Sequence, residues 1–169
     1  MLDLSALLVK CPVPGSLNEI EVIKILRETG FEILTDVEIK DFLRLLPRIY
    51  VGENGRQKEF VPRDIESRVR LYGGMQNATA FLLRHQEGDT LKKIDALVGP
   101  ASFQEYENPE YSHTLRARFL GPKVTENRVD GKIVEVRIDP FHCCRTAEEF
   151  QRESRLYFNR KTLTKYVLS

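Results

Sequence analysis

The spacing of apolar and polar positions divides the chain into a succession of strands and helices. Leu4 to Val9 is a short apolar run ended by Lys10, and Cys11-Pro-Val-Pro-Gly15 breaks it, which predicts a buried strand and a turn. Ser16 and Glu19 have capping-box spacing, so a helix is expected over Leu17 to Thr29, with Ile20, Ile23, Ile25 and Leu26 inward and Gly30 as its stop. Phe31, Ile33, Val37 and Ile39 alternate with polar residues as in a half-buried strand. Asp41 to Leu46 reads as a short helix ended by Pro47, Val51 to Lys58 as an exposed loop, and Pro62 to Tyr72 as a helix ended by Gly73-Gly74. Ala78 to Leu83 predicts a second buried strand, and Asp89 or Thr90 to Val98 a helix stopped by Gly99-Pro100. Pro109 to Phe119 reads as irregular or short helical, Gly121 to Gly131 as a loop, and Lys132 to Ile138 as an alternating strand. Thr146 and Glu149 form a second capping box opening a helix to Phe158, on which Phe150, Tyr157 and Phe158 recur at helical spacing. The order is that of a β-α-β-β-α-β core of the ferredoxin-like type with added helices, an α/β (α+β) fold built on an antiparallel sheet. One domain is expected over 1–158, followed by a basic C-terminal tail over 159–169.

Composition narrows the function classes. With 26 basic and 25 acidic side chains, the net charge of +1 lacks the strongly basic face of a general nucleic-acid binder. The aromatic strand pattern of RNA-binding ferredoxin-like sheets is also missing, so no nucleic acid is expected. No apolar run reaches the ~20 residues of a membrane span, and the first residues lack the features of a signal peptide. The cysteines Cys11, Cys143 and Cys144 form no disulfide framework, which points to a reducing, cytoplasmic setting.

Phosphate-binding glycine loops are absent, as are Cys-x-x-Cys and His-Glu-x-x-His, so a phosphate site must use scattered side chains and no metal site is expected. His142 beside Cys143 and Cys144 is a poor metal motif, because strand neighbours point to opposite faces. His142 is placed just past the last predicted strand and just before a capped helix, where a rigid strand end fixes a side chain and exposed amides favour an anion. Glu153 follows eleven residues later. A carboxylate on one ring nitrogen would fix the tautomer and leave the other to attack. The competing interpretation is a strand-end histidine with a packing role only. His85 and His113 have no evident partners and are expected to be exposed.

His142-Cys-Cys-Arg-Thr-Ala-Glu-Glu-Phe-Gln-Arg-Glu-Ser-Arg-Leu-Tyr-Phe158 resembles the catalytic-histidine segment of nucleoside diphosphate kinases, with Glu148, Glu153, Leu156, Tyr157 and Phe158 in ungapped register. Further segments agree in order. Ala6-Leu-Leu-Val-Lys10-Cys-Pro resembles the strand ending in Lys-Pro-Asp, and Glu19 to Ile33 the first helix and second strand. Gly73-Gly-Met-Gln-Asn-Ala-Thr-Ala-Phe-Leu-Leu83 resembles the Ser-Gly-Pro stretch. Leu97-Val-Gly99-Pro-Ala-Ser resembles Met-Gly-x-Thr-Asn, and Thr114-Leu-Arg116-Ala-Arg-Phe119 resembles Thr-Ile-Arg-x-Asp-Phe.

The resemblance implies a γ-phosphate transfer between nucleotides through a phosphohistidine at His142, with Mg²⁺ carried by ATP or a nucleoside diphosphate. It assigns Glu153 to orienting the ring, Lys10 and Arg116 to phosphates, and Phe60, or Val61 in a register one residue on, to the base. Nucleotide and a homo-oligomer or larger assembly are the implied partners. The pattern is broken at several places. Asp95 replaces an Arg, Ala101 a Thr, Asp139 an Asn, and Cys143, Cys144 and Arg145 stand for Gly, Ser and Asp. About a dozen residues are inserted before the last strand, judged against ordinary loop lengths. A second alignment puts Asp130 of Asn127-Arg-Val-Asp130-Gly131 at the histidine position, with a dead site. These departures point to the alternative of a catalytically inactive structural subunit, such as one of a ciliary axoneme with microtubule-associated partners.

Overall fold

The computed structural model describes residues 3–10, 19–40, 42–49, 77–100, 108–119, 123–127, 133–137, 139–140 and 141–167. The expected helix over Pro62 to Tyr72, the loop over Val51 to Lys58, Phe60 and Asp130 lie outside them.

Four strands form one antiparallel sheet: β1 (Ser5–Lys10), β2 (Phe31–Lys40), β3 (Asn77–His85) and β6 (Phe141–Cys143), in the order β2-β3-β1-β6. With α1 (Glu19–Glu28) between β1 and β2, and α3 (Thr90–Val98) between β3 and β6, this is the ferredoxin-like arrangement. The α2 turn (Leu46–Ile49), the single-turn α4 (Leu115–Arg118), α5 (Ala147–Tyr157) and α6 (Arg160–Val167) complete the α-helices among the described residues, with 3-10 turns at Phe42–Leu45 and Pro109–Tyr111.

Because β1 and β3 lie inside the sheet, both of their faces are apolar and buried, as the unbroken runs Leu4 to Val9 and Ala78 to Leu83 require. Leu7, Val9, Phe81 and Leu83 pack against α1, α3 and α4 through Val22, Leu26, Ile94, Val98 and Leu115. Leu8, Ala80 and Leu82 face Phe150, Tyr157 and Phe158 of the α5 side. Each such aliphatic side chain contributes about 1.5–3 kcal/mol by leaving water. Leu163 and Tyr166 of α6 pack against that second cluster, so the basic stretch after Phe158 contains a helix with an apolar face.

The strand β2 alternates, but not toward one face. A register shift between Ile33 and Thr35 sends Phe31 and Ile33 to the α1 side, and Val37 and Ile39 to the α5 side. One extra residue reverses the facing of everything beyond it.

The C-terminal half departs from the expected pattern. Lys132 to Ile138 does contain a strand, β5 (Ile133–Arg137), but it pairs with β4 (Lys123–Asn127) in a separate hairpin, and β4 falls in the expected loop. The fourth strand of the main sheet is β6, whose first residue follows Pro140 and whose alternation is too short to register as a pattern. His142 therefore sits in the middle of a strand rather than past its end. The hairpin occupies the inserted stretch between Arg116 and His142. His85 also differs: it is 9% exposed, its Nε2 lies 3.0 Å from Thr29 O, and its Nδ1 faces Glu87 N and Lys93 Nζ at 3.1 Å.

Candidate phosphotransfer site

β6 is held against β1 with His142 directly opposite Leu8. Side chains on one face recur every second residue, so Lys10 is the diagonal neighbour of His142 on the same face. Pro140 accepts the Lys10 amide at 2.7 Å and fixes the start of the strand.

Beneath His142 runs α5, started by Thr146, whose hydroxyl accepts the Glu149 amide, while Glu149 Oε2 accepts the Arg145 amide at 2.8 Å. That capping box orients the helix so that Glu153 points at the sheet. His142 Nε2 lies 2.7 Å from Glu153 Oε2, with the imidazole side chain 16% exposed and the carboxylate 1% exposed. The same oxygen accepts Tyr157 Oη at 3.1 Å and Cys144 Sγ at 3.5 Å, and Oε1 accepts Arg152 at 3.0 Å. Burial alone would raise the Glu153 pKa; the hydrogen bond and charge of His142, the Tyr157 hydroxyl and the Arg152 charge outweigh it and hold the carboxyl below its ordinary value. An ionised carboxylate here makes Nε2 the protonated nitrogen and leaves the lone pair of the neutral ring on Nδ1. Tyr157, known from the sequence only as one of the regularly spaced aromatics, is both buried and a donor to Glu153. The i, i+4 spacing of Glu153 and Tyr157 on one helix is the signal for it.

The cations are differently disposed. Lys10 is 1% exposed and donates to the Asp139 carbonyl at 2.7 Å. Arg116, 5% exposed, donates through Nε to Asp139 Oδ2 at 3.0 Å, through one terminal nitrogen to Gly99 O, and through the other to Phe141 O at 3.5 Å. Asp139 Oδ1 accepts the Phe141 amide at 2.9 Å. Lys10 and Arg116 thus converge on one residue, Asp139, three places before His142. Lys93, on the same helix as Asp95, pairs with Glu87 at 2.8 Å.

Both described cysteines are buried. Desolvation pushes the Cys143 thiol up to about 12 and Cys144 well above its ordinary value, the latter also through the neighbouring Glu153 charge. Neither is a nucleophile at neutral pH. Among the described residues no group of three or more His, Cys, Asp and Glu side chains could hold a metal ion, and no helix is long and apolar enough to cross a membrane.

No protein-family model matches the sequence, and no curated protein matches it. Solved structures do. The nucleoside diphosphate kinase of Aquifex aeolicus superposes with a TM-score of 0.61 at 19% identity, over 95% of this chain and 97% of that one. The enzyme of Pyrobaculum aerophilum gives 0.62 at 17% identity, over 96% and 98%. The nucleoside diphosphate kinase of Borrelia burgdorferi, a transition-state mimic with vanadate and ADP bound, gives 0.62 at 12% identity, over 94% and 88%. Across nearly its whole length, this chain has the nucleoside diphosphate kinase fold in a divergent sequence.

Proposed function

We propose that the protein transfers the terminal phosphoryl group of a nucleoside triphosphate to a nucleoside diphosphate through a phosphohistidine at His142. The observation that carries this is the 2.7 Å bond between His142 Nε2 and the buried Glu153, in a chain with this fold. In the first half-reaction the Nδ1 lone pair attacks the γ-phosphorus. The bond from that phosphorus to the β–γ bridging oxygen breaks, and the nucleoside diphosphate leaves with the bonding pair. Glu153 balances the positive charge that develops on the ring. The second half-reaction returns the phosphoryl to another diphosphate. Magnesium arrives as part of the nucleotide substrate. Lys10 and Arg116 would serve the phosphates at the place where Asp139 now holds them, and Phe60 would serve the base.

Incubating the protein with ATP labelled at the γ-phosphate, with Mg²⁺, should give an acid-labile phosphoprotein that GDP discharges. The label should be absent from His142→Ala. An unlabelled wild-type protein, or a labelled His142→Ala variant, overturns the proposal.

One observation favours a second function, that of a non-catalytic subunit with this fold in a homo-oligomer or larger assembly, of which an axonemal one is an example. Arg116 is already satisfied by a carboxylate of its own chain. Under that reading millimolar ATP does not bind, and calorimetry separates the two.

A further inference from the structure

Two of the departures from the resembled pattern are in contact with each other. Asp95 stands where that pattern has Arg, and Arg145 where it has Asp; Arg145 Nε lies 2.8 Å from Asp95 Oδ1. Asp95 is on α3, and Arg145 is in the turn between β6 and α5, three residues after His142. Relative to the resembled pattern the two charges are exchanged, and in this chain they pair across the two elements. The exchange moves the cation from α3 onto the segment that carries the histidine.

That cation is also more accessible than Lys10 and Arg116. Lys10 and Arg116 are buried and donate to Asp139, whereas the Arg145 and Asp95 side chains are 44% and 43% exposed. Asp95 Oδ1 has no aligned hydrogen bond among the described residues, so the contact is one of charge rather than of a well-directed N–H. A pair on half-exposed side chains is weak, even with the contacting Asp95 oxygen itself shielded, and a phosphate, with more charge and more acceptor oxygens than a carboxylate, competes well for a guanidinium. The Arg145 backbone is meanwhile held by the Glu149 capping bond, so the side chain moves on a fixed base. The Cys143 thiol feels Arg116 and Asp139 as well as Asp95 and Arg145, so both ion pairs lie within electrostatic reach of this one residue of β6.

We infer that Arg145 is a phosphate-binding residue of this protein, taking the phosphate chain of a nucleoside di- or triphosphate in exchange for Asp95 and replacing the cation that α3 lacks. This rests on the phosphotransfer reading of His142. The probe is ADP, with adenosine as the phosphate-free control, measured by calorimetry on the full chain. Arg145→Ala should weaken ADP roughly tenfold or more, the loss of one charge-assisted bond, and leave adenosine and the melting temperature nearly unchanged. Arg145→Asp should weaken ADP further, and adding Asp95→Arg should recover most of the affinity by restoring a cation between the two elements. A purely structural pair would instead couple in melting temperature and leave ADP affinity unmoved. Wild-type ADP affinity in Arg145→Ala overturns the inference and leaves the phosphohistidine untouched; a wild-type protein that binds no ADP at millimolar concentration overturns both.

Discussion

Glu153 accepts His142 at 2.7 Å and Tyr157 at 3.1 Å through a single oxygen, Oε2, from a position 1% exposed to solvent. With Cys144 and Arg152 added, four side chains donate to this one carboxylate. Its removal therefore has two separable effects. Glu153→Ala strands the buried donors and should cost about 3–5 kcal/mol, the range for breaking a buried charged contact. Glu153→Gln keeps shape and some acceptor capacity, and should cost about 1–3 kcal/mol. In both, phosphohistidine yield should fall, because the ring loses the anion that fixes its tautomer and balances its charge. Urea denaturation gives the first number, and γ-phosphate labelling normalised to folded protein gives the second. Undiminished labelling in Glu153→Gln would remove Glu153 from the reaction.

The same carboxylate predicts an acid-sensitive fold. Its pKa in the folded protein is held below the ordinary 4.5, against the opposing effect of burial. A lowered folded value means that the stabilisation is fully present above about pH 4.5 and is lost as pH falls through the lower, folded-state value. Urea midpoints measured from pH 7 downward should drop for the wild type in that acid range. They should drop less steeply for Glu153→Gln, and the difference between the two curves isolates this group from the other carboxylates. Parallel curves would show that Glu153 contributes no proton linkage.

What the sequence conveyed here follows from the range over which each signal acts. Capping boxes and helical spacing are local, and they located α5 and with it the eleven-residue separation of His142 and Glu153. The long apolar runs marked β1 and β3, because strands buried on both faces need no alternation to be recognised. β6 is three residues long and owes its place to Leu8 on another strand, so the pattern drew attention to the more regular β5 instead. His85 reads as exposed in the sequence because Thr29, Phe31 and Lys93, which surround it, meet only when β2, β3 and α3 are assembled. The pairing of Asp139 with Arg116 spans 23 residues and a hairpin, and no local rule reports it. The charge of Asp139 was legible as a departure; its partner was not.

That partner makes Asp139→Asn informative. The asparagine can still accept the Phe141 amide, and the backbone carbonyl that receives Lys10 is unchanged. What disappears is the counter-charge on a buried guanidinium, so the variant should be less stable than the wild type by about 1.5–3 kcal/mol, the worth of a hydrogen bond to a charged group. A phosphate can then occupy the vacated role. ADP should raise the melting temperature of Asp139→Asn by more than it raises that of the wild type, since ligand stabilisation grows with [L]/Kd. Equal shifts would mean that Asp139 does not compete with substrate for Arg116.

Gly99 holds the other end of Arg116. It caps α3 through its amide to Asp95 O at 2.9 Å and accepts Arg116 on its carbonyl. Its φ of +89° belongs to a region that side chains other than glycine rarely enter. A Cβ there would also lie 2.7 Å from Thr114 Cβ and Oγ1, and Thr114 caps α4, the turn that carries Arg116. Gly99→Ala therefore combines backbone strain with overpacking and should cost about 2–5 kcal/mol. It should also weaken ADP binding in the protein that remains folded, because the carbonyl and the α4 cap move together. Gly88→Ala is the matched control. Its φ is +80°, but a Cβ there meets only Asp3 Oδ2, at 3.2 Å, and touches neither Thr114 nor Arg116. It should lose about 1 kcal/mol from strain alone and bind ADP as the wild type does. If the two variants lose ADP affinity alike at matched stability, Gly99 acts through general destabilisation and not through its grip on Arg116.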